Sequence, residues 1–179
     1  MNKKLSAILV IMAVVCYSAF AIGSGESTPT KETGSTSSQA ASKAQDLTFK
    51  LNETAVFKEI KITATEIKIS NGSEYIKPDS GKVYVGVKFK VENISSTEQT
   101  ISSMLLFDAY VDNTKADLSI SASTAFGGST VDGTLAAGKS LEGYYGIEVK
   151  QGSKVAEFQV KGSWLSNQKA IFKLDIPSS

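Results

Sequence analysis

The chain has 179 residues, with 19 Lys+Arg, 18 Asp+Glu and no histidine, giving a formal charge of +1. Every basic residue is lysine, so the bidentate guanidinium grip on phosphate or guanine is missing, and the balanced charge favours no polyanion; the composition argues against nucleic acid as a partner. With no imidazole and a single cysteine, Cys16, the rest of the chain lacks histidine acid/base chemistry, a thiolate nucleophile, a nitrogen or sulfur metal site and an internal disulfide, and no cofactor is implied.

Met1 to Lys4 is basic, Leu5 to Val15 is apolar apart from Ser6, and Ala19-Phe20-Ala21 follows as an A-x-A site. This is the three-part layout of a secretory signal peptide cleaved after Ala21, which assigns residues 1–21 to the leader. Two alternatives use the same residues. Leu5 to Ile22 spans 18 residues, the lower limit for a membrane helix, so an uncleaved anchor fits. Lipidation of Cys16 would make a lipoprotein, although Ala13-Val14-Val15 before it and the apolar residues after it suit that poorly. Each alternative places the remainder outside the cytoplasm. Residues 22–45, rich in Ser, Thr, Gly, Ala and Lys and free of aromatics, cannot bury enough apolar surface to offset their ordering entropy; they read as a flexible tether or a processed N-terminus.

Residues 46–179 switch to the period of two that marks extended structure. Leu47 to Leu51 alternates as a first strand. Ile60, Ile62 and Ala64 share one phase and Ile67 and Ile69 the other, so a bulge or bend is expected near Thr65-Glu66. Turn signals at Asn71-Gly72 and Lys77-Pro78-Asp79-Ser80-Gly81 precede Lys82–Asn93, the best-patterned stretch, with Val83, Val85, Val87, Phe89 and Val91 on one side and Tyr84, Gly86, Lys88, Lys90 and Glu92 on the other. Ile101 to Val111 is apolar in both phases and reads as one strand inside a sandwich or under a loop. A short strand is expected at Ala116–Ile120, a long loop at Ser121–Thr134, and further strands at Leu141–Val149, Ala156–Val160 and Ala170–Ile176. Seven or eight short strands, with no helix after the leader, predict an all-β fold: an immunoglobulin-like antiparallel β-sandwich, with a closed barrel as the alternative.

Three stretches carry a family pattern: Val87-Lys88-Phe89-Lys90-Val91-Glu92-Asn93; Met104-Leu105-Leu106-Phe107-Asp108-Ala109-Tyr110-Val111-Asp112; and Gly133-Thr134-Leu135-Ala136-Ala137-Gly138-Lys139-Ser140-Leu141-Glu142-Gly143-Tyr144-Tyr145. Their order resembles the DUF4352 family over about Lys50 to Ile176, although Ala137 stands where many members have proline. The resemblance implies an exported, bacterial, immunoglobulin-like module or lipoprotein, similar to the secreted antigens of the MPT63 type. It supplies no catalytic residues.

Among candidate sites, the row Tyr84, Lys88 and Lys90, joined by Tyr144, forms a protein-contact face if its tyrosines point outward together; Tyr110 and Tyr145 are weighed with them, Tyr145 on the opposite side of its strand from Tyr144, and exposed β positions suit tyrosine without any partner. Asp108, Asp112 and Asp117 are the one acidic group on adjoining strands, without calcium-loop spacing, and read as solvated carboxylates. Trp164, in a turn, is either a contact residue or a plug on the end of the sandwich, the latter preferred. Asn52, Asn71 and Asn93 open glycosylation sequons by pattern. The expected function is therefore an exported, non-enzymatic module that binds a protein or cell-envelope component and meets the membrane only through its N-terminal segment. The alternatives are a structural spacer or a hydrolase using carboxylates alone.

Overall fold

Alternation over Lys82–Asn93 becomes the longest strand of the structure, a computed structural model that describes residues 29–32 and 47–178. Cys16, Ala21 and the leader lie outside the described residues. In chain order the strands are β1 (30–31), β2 (47–49), β3 (54–56), β4 (60–70), β5 (82–93), β6 (99–101), β7 (107–111), β8 (114–116), β9 (133–135), β10 (140–150), β11 (155–161) and β12 (169–175), with short helices α1 (103–106) and α2 (120–124). One sheet has the order β1-β3-β4-β5-β10, a second β2-β12-β11-β7-β8, and β6 and β9 form a separate ribbon. This is the expected immunoglobulin-like sandwich, and among its described strand pairs one is not antiparallel: β2 runs parallel to β12, Leu47 opposite Ala170 and Phe49 opposite Phe172.

The inward phase of β5 explains why the two sheets adhere. Val83, Val85, Val87, Phe89 and Val91 are all buried. Phe89 is the hub, its ring 5.0 Å from that of Phe107 and 5.6 Å from those of Phe158 and Phe172, all three edge-on. Edge-to-face rings add to the apolar area that the opposed sheets remove from water. The phase slip in β4 is a bulge between Ala64 and Glu66, which returns Ile67 and Ile69 to the core side.

At the end of β5 stands Asn93, buried, with both ends of its amide engaged. Its Nδ2 donates to the carbonyls of Thr97 (2.7 Å) and Leu135 (2.9 Å), and its Oδ1 accepts from the backbone N (2.9 Å) and Oγ (2.8 Å) of Ser95. The side chain thereby ties the 94–98 turn to β9. Its sequon is consequently closed to modification in the folded domain.

Three expectations are corrected. Residues 103–106 are not strand: the Asp132 carboxylate accepts from Ser103 N at 2.7 Å and from its hydroxyl, and this cap winds the segment into one helical turn. The expected strand over 116–120 is instead β8, ending at Ala116, followed by a single bridge from Leu118 to Ile147. The expected long loop contains α2, whose N-cap Ser119 accepts from Ala122 N at 3.1 Å, and also β9. Within the span of the expected tether, the structure describes residues 29–32. Thr30 and Lys31 add a strand to the open edge of β3, opposite Val56 and Ala55, flanked by ion pairs of 2.6 Å from Lys31 to Glu53 and from Lys61 to Glu32. An unpaired row of backbone groups is a template for any extended segment, and proline at position 29 is tolerated at such an edge.

Candidate functional site

The face predicted for protein contact is closed by the protein's own chain. Tyr84 is 2% and Tyr144 6% exposed. The segment from Leu118 to Val131 wraps the free edge of β10. Ser119 N donates to Gly146 O at 2.8 Å, Tyr144 N to Ser129 O at 2.8 Å and Gly146 N to Ser123 Oγ at 2.9 Å, so the edge amides of Tyr144 and Gly146 are satisfied. Glycines make room for this cover. A Cβ on Gly146 would lie 2.2 Å from Ser123 N, and one on Gly86 would lie 2.4 Å from the Phe126 ring, which stacks on Tyr144 at 5.4 Å. On the inner side, a Cβ on Gly143 would meet Thr130 O at 2.3 Å where the segment turns Val131 into the core.

The remaining members of the predicted face are paired charges. Lys88 meets Glu142 at 2.7 Å and Lys90 meets Glu92 at 2.8 Å, and these carboxylates raise the two ammonium pKa values. Tyr144 Oη donates to Glu66. The Glu66 carboxyl is held below its usual range by Lys68 first and then by Tyr144, while burial and then Glu66 push the phenol up. Substituting Gly146→Ala should lift α2 and destabilise the protein by about 1–3 kcal/mol, the usual penalty of overpacking. Urea unfolding followed by circular dichroism reads this as a lower midpoint at unchanged slope; a midpoint equal to wild type would contradict the close packing of α2.

The predicted carboxylates diverge. Asp108 pairs with Lys115 at 3.2 Å, and Asp112, at φ 47°, accepts weakly from the backbone N of Lys154 and Val155 at 3.3 and 3.2 Å. Asp117 lines a charged groove of about 660 Å³ between β8 and β10, with Lys82, Lys115, Glu148 and Lys150. No group of three metal-ligating side chains occurs among the described residues. Tyr110 is half-buried on β7 and Tyr145 is buried in the core, where desolvation, then Asp108 and Asp117, push its phenol up to about 12.

Four of the exposed large apolar side chains stand instead at one end of the sandwich. Trp164 and Leu165, in the β11–β12 connection, are 68% and 73% exposed; Met104 and Leu105, on α1, are 80% and 62% exposed. The pairing of Phe107 with Val160 and of Lys161 with Lys169 brings α1 and that connection to the same end. Between them opens a groove of about 390 Å³ lined by Ile60, Ile101, Leu106, Trp164 and Leu165. Trp164 is thus no plug. Phe57 fills that place, packed where a Cβ on Gly162 would fall 2.4 Å from its ring. Met104 and Leu105 escape a strand reading because α1 turns them to solvent. Their signal was an unbroken Met-Leu-Leu-Phe run that no single strand face accommodates, and the adjacent Trp164-Leu165 in a turn was another.

A family model described as a domain of unknown function, DUF4352, matches residues 49–171. Among solved structures, the chain is similar to ycdA from Bacillus subtilis, described as a "putative lipoprotein" (21% identity, TM-score 0.54, 65% of this chain and 36% of that one), so it spans about a third of that protein. It is also similar to the yjhA protein from Bacillus subtilis (19% identity, TM-score 0.54, 70% of this chain and 99% of that one). A conserved hypothetical protein from Bacillus anthracis gives 16% identity and a TM-score of 0.51 over 69% of this chain and 94% of that one. These likenesses establish the shared fold. No protein of curated function matches the sequence.

Proposed function

The chain belongs to the DUF4352 family, and from that premise we propose that it is an exported, non-enzymatic binding module that meets its partner through the apolar end of the sandwich. The observation that carries this reading is the exposure of four large apolar side chains at one end of the sandwich, Trp164 and Leu165 lining the groove there and Met104 and Leu105 on the helical turn whose Leu106 also lines it. A large apolar side chain left in water forgoes about 1.5–3 kcal/mol of burial, and clustered exposure of this kind marks interaction surfaces. Export is supported by the basic, apolar and A-x-A order of residues 1–21 and by the likeness to ycdA. A non-enzymatic role is supported by the engagement of Asp108 and Asp112 in local pairing and capping.

Two measurements on intact cells test the proposal. External protease should digest the domain without lysis; protection until lysis would overturn export. A photocrosslinking residue at Leu165 should capture a partner that one at Tyr75, exposed in the β4–β5 connection at the opposite end, does not. Equal capture at both positions would overturn the assignment of the binding end. The intact mass of the native protein distinguishes cleavage after Ala21, a diacylglyceryl group on Cys16 and an uncut leader.

A further inference from the structure

We propose that the partner of the apolar end is a lipid bilayer surface, into whose interfacial zone Trp164, Leu165, Met104 and Leu105 seat. The inference rests on the export reading above and names the chemistry its binding end recognises.

The path of the chain selects this occupant. Thr30 lies opposite Val56, beside the turn of residues 57–59, and β1 runs away from that turn towards Thr54. The turn itself belongs to the apolar end, because Phe57 packs at Gly162 and Glu59 lines the groove with Trp164. Pro29, where the described chain of β1 begins, therefore lies on the side on which the four apolar residues stand. Residues 23–28 separate the apolar run ending at Ile22 from Pro29, and six extended residues reach at most about 20 Å. A leader retained in or lipid-linked to a bilayer would hold this end, and not the Tyr75 end, against the surface.

Composition at the tip agrees with that placement. Tryptophan prefers the headgroup level, where its ring is half in hydrocarbon and its N–H stays hydrated, and leucine and methionine beside it supply purely apolar depth. Lys58, exposed in the 57–59 turn, can lay its stem along that depth and keep its ammonium among headgroups, next to the half-buried Glu59. No helix among the described residues is long and apolar enough to cross a membrane, so the contact assigned to this end is one of surface seating.

Trp164 is the only tryptophan in the chain, so its emission reports this end alone. The full chain is reconstituted with phosphatidylcholine/phosphatidylglycerol vesicles carrying doxyl-labelled acyl chains, and compared with a Met104→Ser, Leu105→Ser, Leu165→Ser variant that keeps Trp164. These three positions are exposed, so an unchanged circular dichroism melt is expected and serves as the folding control. The expected result is a blue-shifted, doxyl-quenched Trp164 in the wild type and loss of both in the variant, although both chains sediment with the vesicles. Wild-type chain that sediments with an unshifted, unquenched Trp164 would overturn the inference. So would quenching undiminished in the variant, or an unquenched blue shift accompanied by cross-linked pairs of chains, which would assign the end to a second copy. None of these outcomes bears on protease accessibility in cells, so failure here is distinguishable from failure of export.

Discussion

Substitution of Phe89→Ala is expected to cost about 3–5 kcal/mol, the range for emptying a buried aromatic site. Phe89 sits on β5 in the first sheet, while Phe107, Phe158 and Phe172, within 5.0–5.6 Å of it, come from three strands of the second. Its removal therefore opens a cavity at the seam between sheets, where rigid strands on both sides resist collapse into the gap. Against a typical total of about 5–15 kcal/mol, this is a large fraction of the stability, and Tm should fall by roughly 10–20 °C. Phe126→Ala provides the comparison. Phe126 is half-buried and stacks on Tyr144 from outside the sheet, so its loss should cost less than half as much. Equal losses in thermal melts of the two variants would show that the core is not organised around Phe89.

The second large effect is expected at Asn93. Asn93→Ala leaves the Leu135 and Thr97 carbonyls and the Ser95 N–H without the partners found at 2.7–2.9 Å. At about 1–3 kcal/mol for each group that water cannot reach, the total should be about 2–5 kcal/mol. Asn93→Asp is the sharper test because its shape is the same. It turns a carboxylate oxygen towards two carbonyl oxygens, so the folded state favours the protonated form and raises the new carboxyl above its unfolded value of about 3.9. The sign follows from linkage. Below that unfolded value both states are protonated and the variant approaches its best stability; as pH rises, the unfolded state ionises first and stability is lost. Urea midpoints should place Asn93→Asp closer to wild type near pH 4 than at pH 7. A gap that does not change with pH would mean that the amide does not face those carbonyls.

Much of the fold was legible in the sequence because it depends on local alternation. The inward phase of β5 and the slip at Ala64–Glu66 are properties of consecutive residues, and both appear in the structure as read. What escaped depends on partners distant in the chain. The helical turn at 103–106 is capped by Asp132, 29 residues away, and no window around Met104 contains that carboxylate. Tyr84 and Tyr144 looked outward correctly in phase but not in exposure, since the cover over that face comes from residues 118–131. Glycines at 86 and 146, within otherwise well-formed strands, were the available hint: a missing side chain in a strand interior often marks close approach of another segment. The apolar end was least legible. Pattern reading puts Met104 and Leu105 in a strand and Trp164 in a turn as a plug on the end of the sandwich, and only the paired ends of β7, β11 and β12 place them together on the surface.

The strand that residues 30–31 add to β3 also has a mechanical meaning. A pull on the N-terminus does not first load β2 and the core. It meets two backbone pairs and the Lys31–Glu53 and Lys61–Glu32 contacts at the sheet edge, which open one after another as a zipper does. These edge contacts involve no core side chain, so they can part under a small force while the two sheets stay packed.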